Sequence, residues 1–169
     1  MVNHETTGTG GSVAPGSMTN RVTVAKAVVV RSVTGPDVTI IEGARTPVST
    51  NGAMSRCVWL GDGAMLSGFT LTNGSTQSTG GANASGGGAW CNSTAAILTD
   101  CIISGNTAYL NGGGVFQGTL QSCVISSNAA VAGGGAYNAW LSDSRVTGNR
   151  ANAAPSGLRP ALPSCETAL

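Results

Sequence analysis

Asp100 and Asp143 are the acids whose spacing points to chemistry, because they hold the same place in two similar blocks, LTDCIISGN (98–106) and LSDSRVTGN (141–149). Arg145 follows the second acid by two residues. If the blocks stack as strands two spacings apart, the carboxylates lie roughly 10 Å from each other, near the separation used in inverting glycoside hydrolysis. The alternative is that both acids are ordinary turn residues. Asp100, Asp143 and Arg145 are the residues to test if the chain is an enzyme.

Other groups that carry chemistry are scarce. His4 is the sole histidine, which leaves no histidine for a nucleophile–base–acid triad. Lys26 is the sole lysine, and the acids form no cluster of the kind that binds calcium. We therefore expect no metal ion, no cofactor and, on balance, no enzyme.

The five cysteines are an odd number without metal-finger spacing. Cys101 and Cys123 hold equivalent places in two blocks, which favours a buried pair of small apolar side chains, with a disulfide as the alternative. Cys57 and Cys91 are candidates for neighbours on adjacent strands, and Cys165 stands alone. The sequence leaves the disulfide state and the redox compartment open.

An internal repeat determines the fold. The segments GGGAW (86–90), GGGVF (112–116) and GGGAY (133–137) recur, and each precedes a block of the LTDCIISGN type. From Leu66, the equivalent leucine recurs after 32, 22 and 21 residues. The long first step coincides with a Gly/Ser/Thr-rich stretch, 75–88, which reads as an inserted loop. A period near 22 residues fits a leucine-rich repeat or a parallel β-helix, and the units carry too few leucines for the former.

Apolar residues alternate with polar ones inside each block, as in a strand. We predict an all-β, right-handed parallel β-helix (solenoid) of about five coils, in which equivalent residues lie over one another. The expected inward columns are the leucines, the cysteines and the aliphatic residues that follow them. The turn asparagines, which tolerate left-handed backbone, should form a ladder, and the aromatic residues should form an offset stack. Those two columns are Asn106, Asn128 and Asn149, and Trp90, Phe116 and Tyr137.

The N-terminal third shows weaker copies. Short β-rich runs at 22–24, 28–33, 38–41 and 57–60 predict the first coils, with a turn at Thr34-Gly35-Pro36-Asp37. We divide the chain into a partly ordered lead-in (1–20), the β-helix (21–150) with its inserted loop, and a proline-rich tail without the repeat (151–169).

The paired GGA-like and xxN blocks resemble the repeats of polymorphic outer-membrane proteins, which are autotransporter-type bacterial surface proteins. The match comprises the three glycine blocks and the segments from Ile103 to Asn106, Ile125 to Asn128 and Val146 to Asn149. Ile or Val replaces the family's Phe in every xxN block. The segment from Arg21 to Gly43 is similar to the opening coils of right-handed β-helix proteins of the pectin-lyase-like superfamily. This resemblance implies an extracellular or cell-surface location.

Composition narrows the class of partner. Only 9% of residues are charged and the net charge is +1, which excludes a strongly basic nucleic-acid binder. No segment is long and apolar enough to span a membrane, and no signal peptide is visible. We expect a non-enzymatic surface module for adhesion, binding or display, with glycans or host and cell-surface proteins as partners. The alternative is a carbohydrate-active enzyme, a lyase or hydrolase, or its remnant.

The ends of the predicted solenoid lack a capping helix. Without an export signal on a surface-type repeat, we expect a fragment of a longer protein or an imperfect gene prediction. An uncapped coil leaves unpaired strand edges, so we expect self-association through the edge from Ser144 to Asn149.

Overall fold

The computed structural model describes residues 12–13, 18–45, 54–78 and 81–151. In these ranges the chain is built from short strands, with one 3-10 turn and no α-helix. His4, Cys165 and the predicted tail beyond residue 151 lie outside the described residues. The elements are β1 Ser12–Val13, β2 Thr19–Val24, β3 Val29–Arg31, β4 Ile40–Glu42, β5 Ser55–Leu60, β6 Met65–Ser67, β7 Thr70–Thr72, η1 Gly81–Ala84, β8 Ala89–Cys91, β9 Ile97–Thr99, β10 Ile102–Ser104, β11 Val115–Phe116, β12 Thr119–Gln121, β13 Val124–Ser126, β14 Ala129–Ala130, β15 Ala136–Tyr137, β16 Trp140–Ser142, β17 Arg145–Thr147 and β18 Arg150–Ala151.

The strands stack in parallel, as a β-helix-like solenoid requires. Sheet A has the order β1-β2-β5-β8-β11-β15, sheet B β16-β12-β9-β6-β3 and sheet C β17-β13-β10-β7-β4. A two-stranded pair, β14-β18, completes the set of described strands. Among their pairings β1–β2 alone is antiparallel, and an isolated bridge between Ala44 and Ser55 is antiparallel as well. The chain visits sheets A, B and C in the same order repeatedly, and we call each such passage a coil.

The predicted columns are confirmed by the strand register. Leu98 pairs with Leu66 and with Leu120, and Leu120 pairs with Leu141. In sheet C, Ile103 occupies the same column as Leu71, Ile125 and Val146. The β-rich runs of the N-terminal third also form strands, with β3 beside β6 and β4 beside β7.

The core is one narrow line of aliphatic side chains between the three sheets. Leu66, Leu98, Leu120, Ile103 and Ile125 are fully buried, and in β9, β10, β12 and β13 the residues on either side of them are partly or fully exposed. No single coil buries its inward side chains alone, because each needs a coil above it and another below.

In each glycine triplet, each of the three glycines is needed for a different steric reason. In GGGVF, Gly112 adopts a φ of 62°, which bends the chain into β11. A Cβ on Gly113 would lie 2.4 Å from the Ala129 carbonyl oxygen, so the middle glycine permits close backbone approach. A Cβ on Gly114 would lie 3.0 Å from Asn128 Nδ2, so the third glycine makes room for the asparagine ladder.

The asparagine ladder is confirmed, with a correction to its backbone. Asn128 Oδ1 accepts hydrogen bonds from the backbone N–H and the Nδ2 of Asn106, both at 3.0 Å, and Asn149 Oδ1 does the same for Asn128. The left-handed residues are not the asparagines but those just before them, including Gly105 with φ 66° and Ser127 with φ 57°. The asparagines contribute buried amides rather than a special backbone conformation.

The predicted inserted loop joins the stack at both of its ends. Ser75 bridges to Thr107, and the backbone of Gly86 donates to the Asn111 carbonyl. Residues 85–88 are buried, and η1 lies in the middle of the loop.

In the described part of the chain, no helix is long and apolar enough to span a membrane.

Candidate functional site

A groove of about 690 Å³ opens where a loop of the first coil lies against the corner between sheets B and C. It contains one base, Arg31, and one acid, Asp100, together with exposed apolar side chains. Val29 and Val33 expose 64% and 63% of their surface, so the groove presents an apolar wall to solvent. Its lining is Val29, Arg31, Ser32, Val33, Gly35, Pro36, Ser67, Gly68 and Asp100.

A cluster of hydroxyl groups fixes the loop that forms one wall. Ser32 Oγ lies 2.6 Å from Thr39 Oγ1, which in turn lies 2.9 Å from Thr34 Oγ1. Ser32 Oγ also accepts the Gly35 backbone N–H at 2.9 Å, and Thr70 Oγ1 donates to the Pro36 carbonyl at 2.7 Å. The hydroxyl bonds join the two ends of the loop to each other, and the bond from Thr70 ties its tip to β7. Backbone bonds from Ser32 N–H to the Ser67 carbonyl and from Thr70 N–H to the Thr39 carbonyl, both at 2.9 Å, hold its ends on the next coil, so the wall is preformed.

The two charges of the groove do not neutralise each other. Arg31 and Asp100 are both exposed, and no ion pair joins them within the described residues. Thr99 Oγ1 donates to Asp100 Oδ2 at 3.1 Å, which holds the carboxylate beside the groove. A ligand between the two side chains would find a cation on one side and an anion on the other.

Asp100 and Asp143 occupy the same column of turn residues, as the sequence predicted. The backbone N–H of Asp100 donates to the Gln121 carbonyl, and that of Ser122 donates to the Ser142 carbonyl. Asp100, Ser122 and Asp143 all have left-handed backbone, with φ of 53°, 52° and 49°. Gly68 holds the same place in the preceding coil, with φ 77°. The column is a repeated tight turn, and short polar residues suit it because they tolerate left-handed backbone.

Asp143 and Arg145 lie outside the groove. Both are exposed on the last described coil, about 10 Å or two strand spacings from Asp100. Arg145 points outward at the start of β17, as its column predicted. Among the described residues, no group of three or more potential metal ligands is present.

The cysteines are free thiols in the interior. Cys57, Cys91, Cys101 and Cys123 are all buried and unbridged. A hydrogen bond to Cys123, together with burial, raises the pKa of the Cys101 thiol. Burial raises the pKa of Cys57 and of Cys91 to about 12.

Cys101 and Cys123 belong to a second polar ladder that sequence reasoning missed. The Cys101 thiol donates to the Thr99 carbonyl two residues back, and the Cys123 thiol does the same to Gln121. In the next coil, Ser144 Oγ donates to the Ser142 carbonyl and accepts the backbone N–H of Cys123. Ser in a Cys column is the sequence signal of this hydrogen-bonding role, which is confined to these three coils, because the buried Phe69 occupies the same column in the preceding coil.

Arg56 is a buried base that the repeat pattern does not predict. Its side chain is 2% exposed, and it donates from Nε to the Ser85 carbonyl at 3.0 Å and from Nη2 to the Ala82 carbonyl. Burial lowers the pKa of Arg56 to about 10, which leaves it charged at neutral pH. Arg56 holds the 81–85 segment against the stack, so its role is structural.

The predicted aromatic column is confirmed and is one member longer. Trp59 stacks on Trp90 with ring centroids 5.8 Å apart and planes at 9°. Phe116 and Tyr137 continue the stack at 6.1 and 5.9 Å. At one end of the described column Trp59 is buried beside Thr23, whereas at the other end Tyr137 is 40% exposed.

The chain matches no protein-family model, no curated protein and no solved structure.

Proposed function

We propose that the chain is a right-handed parallel β-helix of about five coils that works as a non-enzymatic binding module. It belongs with the pectin-lyase-like superfamily, and its repeats are of the polymorphic outer-membrane type. The parallel sheets and the repeated A-B-C passage support the coarse architecture, and the coil length follows from the 22 residues between Leu98 and Leu120. The family and the handedness rest on the resemblance of the GGA-like and xxN blocks.

The preformed groove is the observation that carries the binding role. Its wall is fixed by hydroxyl hydrogen bonds before any ligand arrives, so binding costs little ordering of the protein. Arg31 and Asp100 offer opposite charges, and the exposed valines offer apolar contact. Such a mixed surface suits a glycan or a segment of a cell-surface protein.

The test is binding of the full chain to glycan and protein arrays, followed by the variants Arg31→Ala and Asp100→Asn. We expect each to weaken the interaction found on the arrays by about tenfold or more, since each removes a charged hydrogen bond. Ser122→Asn is the matched control, because Ser122 has the same turn geometry but lies outside the groove. Binding that survives both groove variants, or no binding on either array, would contradict the proposal.

The alternative, a lyase or hydrolase, is favoured by the presence of Asp100 and Arg31 in one groove. Hydrolysis by two carboxylates needs both to flank the scissile bond, and Asp143, although about 10 Å from Asp100, does not line the groove. Turnover of uronate or neutral polysaccharides, with or without calcium, that is lost in Asp100→Asn or in Asp143→Ala would establish this alternative over the binding module.

An extracellular or cell-surface location is part of the same proposal and rests on the repeat resemblance. Protease treatment of intact cells that express the chain should remove it, while a cytoplasmic marker survives. Protection of the chain in intact cells, with digestion only after lysis, would overturn the surface location.

A further inference from the structure

The last described coil presents an unfinished face at the end of the stack. Leu141 and Val146 belong to inward columns whose members in the three preceding coils are fully buried, yet they expose 41% and 43% of their surface. Trp140 is 72% exposed beside them, and Tyr137 is 40% exposed at the end of the aromatic stack. We call this set, with the edges of β15, β16 and β17 that pair with no other strand of the described residues, the end face.

Hydrogen-bond donors at the end face are also left open. Within the ladder, each coil donates a backbone N–H to the asparagine Oδ1 of the next coil, as Gly74 does to Asn106 at 2.8 Å. The backbone N–H of Asn149 and that of Ser144 have no acceptor in the described part of the chain. Apolar side chains and unpaired strand edges in one place mark a surface for pairing with another strand.

We propose that the end face binds the end face of a second copy of this chain, forming a two-fold dimer in which β17 pairs antiparallel with itself. A two-fold interface must be self-complementary, and this face meets that requirement when centred on Val146. A residue before Val146 in one copy then lies opposite the residue at the same distance after Val146 in the other copy. Arg145 of one copy therefore faces Thr147 of the other. Asp143 of the second copy lies opposite Asn149, whose N–H needs an acceptor, and next to Arg150.

Charge supports this occupant over an unrelated strand. The two corners of the β17 edge carry opposite charges, Asp143 at one and Arg150 at the other. The two-fold rotation exchanges the corners, so each acid meets a base instead of a like charge. No charged side chain belongs to the inward columns that the dimer buries. The proposal concerns the end of the stack and stands independently of ligand binding in the groove.

The test is the mass of the full chain in solution, measured by sedimentation or light scattering across a hundredfold range of concentration. The measured mass of the wild type should approach twice that of the monomer. The mass of Leu141→Arg and that of Val146→Arg should each equal the monomer mass. Val124→Arg is the matched control: Val124 is also partly exposed on sheet C, but one coil inside the end face and pointing outward, so the mass should stay doubled. Unchanged circular dichroism shows that each variant is folded.

Cross-linking tests the register separately. In a Cys165→Ser background, Val146→Cys should join two copies with a short bismaleimide, and Val124→Cys should not. Wild type that stays monomeric throughout would overturn the proposal, and would indicate that residues 152–169 or another partner take the end face. A dimer that survives both arginine variants, or one that cross-links equally well at both positions, would also overturn it.

Discussion

Single residues in this chain act through their place in a column. Cys57 holds the position that Gly88 has in the next coil, and Gly74 holds that of Asn106. The Cys57 thiol donates to the Thr72 carbonyl at 3.1 Å, just as Asn106 Nδ2 donates to Ser104 at 3.1 Å. The pair Cys57 and Gly74 therefore takes the place that Gly88 and Asn106 have in the next coil. In each coil one polar side chain satisfies the carbonyl of the turn.

Asn128→Ala should be among the most destabilising single changes. Asn128 is fully buried, and its amide bonds to the Ile103 carbonyl and to the asparagines of both neighbouring coils. Leaving several buried groups unsatisfied should cost roughly 3–5 kcal/mol in the free energy of unfolding, measured with urea. Asn149→Ala, at the partly exposed end of the ladder, should cost less than half as much. Equal losses would show that the ladder does not carry the stability.

The buried thiols make stability depend on alkaline pH. Burial raises the pKa of Cys91 to about 12 in the folded chain, from an ordinary value near 9. The unfolded chain therefore releases this proton first, so the stabilisation is complete below about pH 9 and is lost as the pH rises toward 12.

Cys91→Ala should reduce this alkaline slope by up to about 1.4 kcal/mol per pH unit, the contribution of one proton. Urea titrations of wild type and variant at successive pH values measure it. A variant that loses stability with pH as steeply as wild type would show that Cys91 does not titrate differently in the two states.

At the scale of the element, the turns determine where each strand ends. Each coil after the first uses left-handed residues at fixed places, such as the column of Asn73, Gly105, Ser127 and Gly148. This column mixes glycine with short polar residues because it needs left-handed backbone and has open space. The middle glycines of the triplets are different, because neighbouring backbone fills the space where a Cβ would be.

Gly113→Ala and Gly105→Asn should therefore differ sharply. A Cβ on Gly113 would lie 2.4 Å from two carbonyl oxygens, so we expect a loss of about 3 kcal/mol or more in thermal or urea unfolding. Gly105→Asn places the residue of an equivalent turn, Asn73, where the nearest heavy atom is a side-chain oxygen 3.5 Å away. Its cost should be below about 1 kcal/mol. Similar costs for the two variants would contradict this account of the triplets.

The repeated columns were predictable because each repeat imposes the same environment on the same residue type. The same spacing of 22 residues separates Leu98 from Leu120 and Asn106 from Asn128, so one pair predicts the other. Trp59 was missed because its coil lacks the glycine triplet that marks the other aromatics. The groove was also missed: Arg31 lies in the irregular first coil, whose register with β6 and β9 the sequence did not show, and the 32–39 loop that forms the wall has no counterpart in the repeat. A site made by a departure from the repeat leaves no periodic signal.

At the scale of the whole molecule, the stability of each coil depends on packing against its neighbours. Each aliphatic side chain of the core contacts equivalents above and below, so the central coils should be the most stable and the end face the least. The groove lies near one end and the end face at the other, so one stack separates a ligand site from a self-association surface.

Methyl-labelled NMR tests the stacking most directly. Cross-relaxation should join the methyl groups of Leu98 with those of Leu120, and Ile103 with Ile125, because these residues are register partners. Leu98 and Leu141, two coils apart, should give far weaker transfer. Strong Leu98–Leu120 and Ile103–Ile125 contacts are the result that the account predicts. Their absence from a folded sample with fully assigned methyl signals would contradict it.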